Sequence, residues 1–325
     1  MFTFAFTTSN IDCLNTTIIT RLKTCVLSAI PKALKTAWWL IKITVPVTFI
    51  VFLLNFTGIL HIVSGWLNPF FSLLGLPGES AFVLITSVFA NVYSVVAVIS
   101  TLGMPVREAV ILAVMCLISH GFLIETAVLR KTGSSVIRML LLRLSASLVA
   151  GVLLNLILPE LPGYVNASVA IEETSFVNSF INWGTSMFFL CLKIMILISS
   201  LLILQRILEE FGIIRLLSFL LKPLLKVFGL PESTSLSWLV ANIVGLAYGS
   251  AIMMEQVEEG RLSRADADLV NHHVAVSHSQ LEDPLLFLAI GLPMHWLMWP
   301  RLLLAIAAVW LRRAELSIRN RHSKS

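Results

Sequence analysis

The sequence predicts an all-α polytopic membrane protein made of two inverted repeats, each with three spanning helices, an interfacial helix and a re-entrant helical hairpin. Three observations predict this class. Of the 325 residues, 57% are hydrophobic and only 13% are charged, with a mean hydropathy of +0.91. A soluble domain usually carries about a quarter charged residues. Several apolar runs approach the roughly 20 residues needed to cross the hydrocarbon core. Finally, segments of the first half recur in the second, polar clusters included.

Taken in order, residues 1–38 are Thr- and Asn-rich and then basic, with Arg21, Lys23, Lys32 and Lys35. This reads as an amphipathic cytoplasmic segment on the inner leaflet rather than a signal peptide. Spanning helices are predicted over 39–60, 79–102 and 137–158, and again over 181–204, 234–254 and 294–311. The stretches 64–78 and 215–231 are short and interrupted by proline, which suits helices lying in the interface. Residues 159–180 form an extracytoplasmic linker and 312–325 a basic cytoplasmic tail. The first repeat then occupies 39–158 and the second 181–311.

Two hydrophobic stretches, 106–132 and 265–291, carry polar clusters near their middles. Read as hairpins, each has arms of about 10–12 residues, about 15–18 Å at the helical rise and half the hydrocarbon thickness. Charge favours hairpins. With six spans and two hairpins, the basic stretches 21–42, 130–143, 205–226 and 312–324 all face the cytoplasm, and the acidic loops 159–173 and 255–268 face out.

The internal repeat is specific in its order. "NPFFSLLGLP" (68–77) corresponds to "KPLLKVFGLP" (222–231), and "ISHGFLIETAVLRKTG" (118–133) to "VSHSQLEDPLLFLAIG" (276–291). Ser119 and His120 align with Ser277 and His278, Glu125 with Asp283, and Arg143 with Arg301; Ala90-Asn91 is paired with Ala241-Asn242. An odd number of spans per repeat inverts the second copy, the architecture of many secondary transporters.

This repeated unit, "P-x5-GLP" followed by "SH-x4-(E/D)", resembles the Gate, or nucleoside recognition, domain. That domain occurs in pairs in the ferrous-iron transporter B family and in spore maturation proteins A and B. The resemblance covers about 40–158 and 181–311. It implies a transporter-like fold in a bacterial or archaeal cytoplasmic membrane, with both termini inside. No G-x-x-x-x-G-K-[ST] phosphate loop is present, so the GTPase coupling of the iron transporters is not expected here.

The candidate substrate-binding residues are Asn91, Ser119, His120, Glu125, Asn242, Ser277, His278, Gln280, Glu282 and Asp283. Ionisable side chains at membrane depth are costly and point to function. An unperturbed imidazole changes charge near neutral pH, so His120 and His278 suit proton coupling. Glu282 and Asp283 are adjacent, so they project in different directions. The plain structural readings are that the carboxylates cap a helix arm, the histidines bond a nearby carbonyl, and the asparagines glue helices together. Arg143 and Arg301 either neutralise the hairpin carboxylates or, on the plainer reading, snorkel to the interface.

No cofactor and no dedicated metal site are predicted. Asn271, His272 and His273 precede His278, but His272 and His278 do not share a helix face. Cys13, Cys25, Cys116 and Cys191 form no Cys-x-x-Cys pair. Neither H-E-x-x-H nor a nucleophile elbow occurs, which argues against an enzyme, and no aromatic-rich basic stripe points to nucleic acid. The expected activity is movement of a small polar solute, nucleoside-like by the resemblance, by alternating access with H+ or Na+ as coupling ion. Divalent metal transport and a non-transporting scaffold are the alternatives, and a homo-oligomer in the bilayer is compatible with either.

Overall fold

The computed structural model describes residues 8–89, 91–165 and 175–322, with side chains from Ile18 onward except Asn320 and His322. Cys13, Ala90 and the linker acids Glu172 and Glu173 lie outside the described side chains, so the readings made on them are not pursued. The described regular structure is helical.

Four helices are long and apolar enough to cross a membrane: α1 (Thr8–Phe56), α7 (Val136–Ile157), α8 (Phe176–Glu210) and α15 (Met294–His322). Only about a third of the residues in their most apolar stretches are buried, so these helices present greasy outer faces. Between them lie shorter helices. The first half has α2 (Ile59–Phe71), α3 (Ser80–Phe89), α4 (Val92–Leu102), α5 (Val106–Ser119) and α6 (Phe122–Lys131). The second half has α9 (Ile213–Leu220), α10 (Lys222–Val227), α11 (Ser235–Ile243), α12 (Leu246–Glu258), α13 (Arg264–Ser277) and α14 (Glu282–Leu288).

The short α2 and α9–α10 match the two helices expected in the interface. Each ends at its "GLP" motif by one device. Gly75 and Gly229 take the left-handed conformation, and the next amides, of Leu76 and Leu230, donate to the carbonyls of Phe71 and Leu225. That is the glycine C-cap that satisfies a helix end.

The structure corrects three expectations. First, residues 1–38 are not a separate surface helix over their described part. α1 runs unbroken through Pro31 and Pro46 for 49 residues, about 74 Å. It packs along α8, with Arg21 paired to Glu210 at the end of that helix.

Second, the hairpins and the broken spans change places. The predicted spans 79–102 and 234–254 are the elements that fold back. A Cβ on Gly249 would lie 2.4 Å from the Ala241 Cβ, a contact that α11 and α12 make only as antiparallel neighbours. α3 and α4 likewise pack on one another. The turns have local causes: the Asn91 side chain accepts the Ser94 amide and starts α4, while Gly245 takes φ 115° before α12.

The predicted hairpins 106–132 and 265–291 instead run across. α5 and α6 are bent by only 40° at their break. They follow α7 along its whole length. Arg107 Nη2 donates to the Asn155 carbonyl (2.8 Å) at one end, and Ser147 donates to the Met115 carbonyl (3.0 Å) in the middle. α5–α6 is thus one broken helix laid along a helix long and apolar enough to cross. α13–α14 lies along α15 in the same way, from Arg312–Asp268 (2.8 Å) to Arg301 at the His278 carbonyl. A polar break is tolerated within a crossing helix because a buried side chain bonds the freed backbone groups.

Third, the acidic loop 255–268 does not lie opposite the basic clusters. Asp268 accepts from Ser134 (2.5 Å) and Arg312 (2.8 Å), and Arg138 pairs with Glu315. The segments 130–138, 264–268 and 312–315 therefore share one face. Residues 104–107 meet 158–165 on the other, where the Val106 amide donates to Gly163 and the Val165 amide to Met104. α5–α6 ends at the face where α13–α14 begins, so the two broken helices run in opposite directions.

Candidate functional site

The two breaks have the same construction. α5 ends at His120, whose extended backbone (φ −70°, ψ 155°) leads to Gly121 at φ 55°. α13 ends at His278 (φ −61°, ψ 165°) and leads to Ser279 at φ 51°. Both departures leave backbone amides free, and the tips of the folded-back pairs take them up. The Gly121 amide donates to the Ser87 carbonyl (2.9 Å) and the Ser279 amide to the Ala241 carbonyl (3.1 Å).

Freed carbonyls are bonded by two arginines that no solvent reaches. Arg143, 0% exposed, donates through Nε to the Ile118 carbonyl (2.8 Å) and through Nη2 to the His120 carbonyl. Arg301, also 0% exposed, donates likewise to Val276 (3.3 Å) and His278. The snorkelling expectation is overturned: the guanidinium fork is spent on helix-break carbonyls, where a planar multi-donor group fits and water is absent.

The breaks cross with their histidines together. His120 Nε2 and His278 Nε2 are 3.3 Å apart. Glu125 Oε1 lies 3.0 Å from His120 Nε2 and 3.3 Å from His278 Nε2, while its other oxygen is bonded by Arg143 Nη2 at 2.6 Å. Asp283 Oδ2 stands 3.7 Å from His120 Nε2 and makes no hydrogen bond among the described residues. Each histidine uses Nδ1 on a carbonyl of its own helix, His120 on Leu117 (3.1 Å) and His278 on Val274 (2.8 Å). That fixes both rings with Nε2 pointing inward.

Nε2 of His120, Nε2 of His278 and an Asp283 oxygen all lie within 4.8 Å of one another. This donor set of two imidazoles and one carboxylate suits a borderline divalent cation. It requires one histidine from each half. Asn271, His272 and His273 are not part of it. His273 Nδ1 accepts from Trp238 Nε1 (3.1 Å), His272 Nδ1 bonds the Asp268 carbonyl, and Asn271 bridges to Thr132 and Ser134.

Of the candidates read from sequence, His120, Glu125, His278 and Asp283 come together. Ser119 and Ser277 turn their hydroxyls back onto the Met115 and His273 carbonyls of their own helices. Asn91 is a helix cap. Asn242 donates to the Trp238 carbonyl (2.8 Å) and leaves its own buried oxygen without a partner. These two asparagines do not occupy equivalent places. The matching tip carbonyls, Ser87 with Ala241, put Gly245 opposite Asn91. Neither amide atom of Gln280 has a partner among the described residues.

Glu282 faces away from the histidines. It accepts from Tyr93 Oη at 2.7 Å and lines a cavity of about 220 Å³ between the two halves. Lys32, Thr36, Gln205 and Tyr248 supply the cavity's other polar groups, and the remaining wall is mostly aliphatic. Tyr93 is a weaker candidate in the sequence, and Arg143 and Arg301 read there chiefly as snorkelling groups. The signal for the arginines was present in their matched spacing from the two histidines.

Interrupted helices, greasy outer faces and a buried charged crossing define a polytopic membrane protein of transporter-like build. Residues 37–136 match the family model described as Gate, nucleoside recognition. It is 29% identical over 290 residues to the uncharacterized membrane protein YvoD of Bacillus subtilis (strain 168), an alignment covering 88% of this chain and 91% of that relative. No solved structure matches.

Proposed function

We propose that the protein is a secondary transporter of the bacterial cytoplasmic membrane, with both termini cytoplasmic. It is built from two inverted repeats and moves a small polar solute by alternating access, with a proton as coupling ion. One observation carries this reading: the equivalent histidines of two oppositely running broken helices meet at 3.3 Å. Two similar halves joined at one charged point can rock about it, exposing the same site first to one side and then to the other. The solute enters the cavity at Glu282, and the adjacent Asp283 links it to the His120–Glu125–His278 cluster. A carboxylate and imidazoles within 4 Å can pass a proton among themselves as the halves move.

Uptake into proteoliposomes tests it. A panel that includes nucleosides, set against an imposed pH gradient, yields saturable uptake of at least one solute. His120→Gln with His278→Gln lowers that uptake at least tenfold. Absence of saturable uptake across the panel, or uptake untouched by the double variant, rejects the proposal.

A second reading, divalent cation transport, is favoured by the donor set His120, His278 and Asp283. Mn2+ or Zn2+ then raises the thermal midpoint of the purified protein, and Asp283→Asn removes the rise. A midpoint that does not respond to either metal removes this reading.

A further inference from the structure

The cavity at Glu282 holds two opposite charges that form no ion pair with each other or with any other described residue. Glu282 has Tyr93 Oη as its hydrogen-bond partner and forms no ion pair among the described residues. Lys32, exposed on α1, rests its ammonium on the Tyr248 hydroxyl and over the Tyr248 ring, 4.8 Å from the centroid, and likewise has no carboxylate partner. By contrast, Glu125 is paired with Arg143 and Asp268 with Arg312. A charge left unpaired beside apolar walls is costly, and that cost falls when a ligand supplies the counter-charge.

The two charges also sit on different elements and at different depths. Glu282 opens α14 at the inner wall, half-buried, while Lys32 and the 42%-exposed Tyr248 stand at the cavity's rim. Leu201, Leu202, Ile243 and Leu281 supply aliphatic wall to the same cavity. A ligand complementary to this arrangement has a cationic end, an apolar body and an anionic end.

We infer that the cavity binds a small zwitterion whose ammonium and carboxylate are separated by an aliphatic body, the ammonium at Glu282 and the carboxylate at Lys32. This rests on the transporter reading for its biological sense and names the solute class for that same site. Nucleosides, which carry no such pair of charges, are excluded by it.

Binding to the purified full chain in detergent tests this without requiring transport. The probes are 6-aminohexanoate, hexylamine and hexanoate, of equal chain length and different charge. The zwitterion binds at least tenfold more tightly than either singly charged probe. Glu282→Gln weakens the zwitterion and hexylamine alike, at least tenfold. Lys32→Met lies at an exposed position and leaves the core intact; in it, hexylamine and 6-aminohexanoate bind equally. Equal binding of all three probes by the wild type, or an unchanged zwitterion preference in Lys32→Met, overturns the inference. Uptake separates the two ideas. A zwitterion bound but never carried refutes transport and leaves the site assignment standing; a nucleoside carried while the zwitterion does not bind does the reverse.

Discussion

Gly121 and Ser279 occupy the same left-handed backbone position, φ 55° and 51°, one residue after the histidine that ends each broken helix. Glycine takes this conformation freely, whereas an L side chain pays about 1 kcal/mol or more. Ser279 is the one described non-glycine residue with positive φ. Ser279→Gly therefore stabilises the protein by up to about 1 kcal/mol, part of the gain being offset by the freer unfolded chain. Gly121→Ala has the opposite sign, because its Cβ would also press the Glu125 carboxylate at 3.3 Å. Thermal unfolding in detergent reads both; a lower midpoint for Ser279→Gly contradicts the equivalence.

The two buried arginines differ in one respect. Arg143 bonds Glu125, while Arg301 has no carboxylate within ion-pair reach among the described residues. Arg143→Met leaves a buried carboxylate without its strongest partner and costs about 3–5 kcal/mol. Arg301→Met leaves carbonyls unbonded and costs about 1–3 kcal/mol. Folded yield and thermal midpoint of the two variants rank accordingly, and a larger loss in Arg301→Met rejects the assignment.

The folded-back pair α11–α12 depends on a close approach. A Cβ at Gly249 meets the Ala241 Cβ at 2.4 Å and Ala241 backbone atoms at 2.6 and 2.7 Å. Gly249→Ala forces the arms apart and costs about 1–3 kcal/mol by overpacking. It also shifts the Ala241 carbonyl that the Ser279 amide needs. Were α11 and α12 one straight span, the same substitution would be tolerated or mildly stabilising.

One face is tied across the halves by Arg138–Glu315, and within the second half Arg312 extends the network to Glu315 and Asp268. The first pair is 38% and 44% exposed, so Arg138→Gln costs less than about 1 kcal/mol. Arg312 and Asp268 are only 13% and 12% exposed, and Arg312→Gln costs more, about 2–3 kcal/mol. The cost of Arg138→Gln shrinks at high salt, while that of Arg312→Gln persists. Equal costs at both positions would show the network to be wholly solvated.

Much of this was legible in the sequence. Low charge and long apolar runs gave the membrane class. The "GLP" and "SH" repeats placed the interfacial helices and brought His120, His278, Glu125 and Asp283 forward. The assignment of which segment folds back was not legible from hydropathy. Residues 79–102 look like a clean span because the break at Asn91 is a cap, not a charge. The 106–132 stretch looks like a hairpin because its polar centre seems unaffordable until Arg143 is seen to bond the freed carbonyls. Such compensation comes from the next helix, 23 residues on from His120, and local periodicity does not carry it. The face assignment of 255–268 failed for the same reason, since it followed from treating 234–254 as a crossing.

The opposed crossing of the two broken helices is the claim on which the rest depends, and sidedness labelling reads it directly. Single cysteines at Ser135, Glu258 and Pro162, all exposed, are placed in a background lacking the native cysteines and treated in sealed vesicles with a membrane-impermeant thiol reagent. The structure predicts that Ser135→Cys and Glu258→Cys react from one side and Pro162→Cys from the other. Reaction of Ser135→Cys and Glu258→Cys from opposite sides would contradict it.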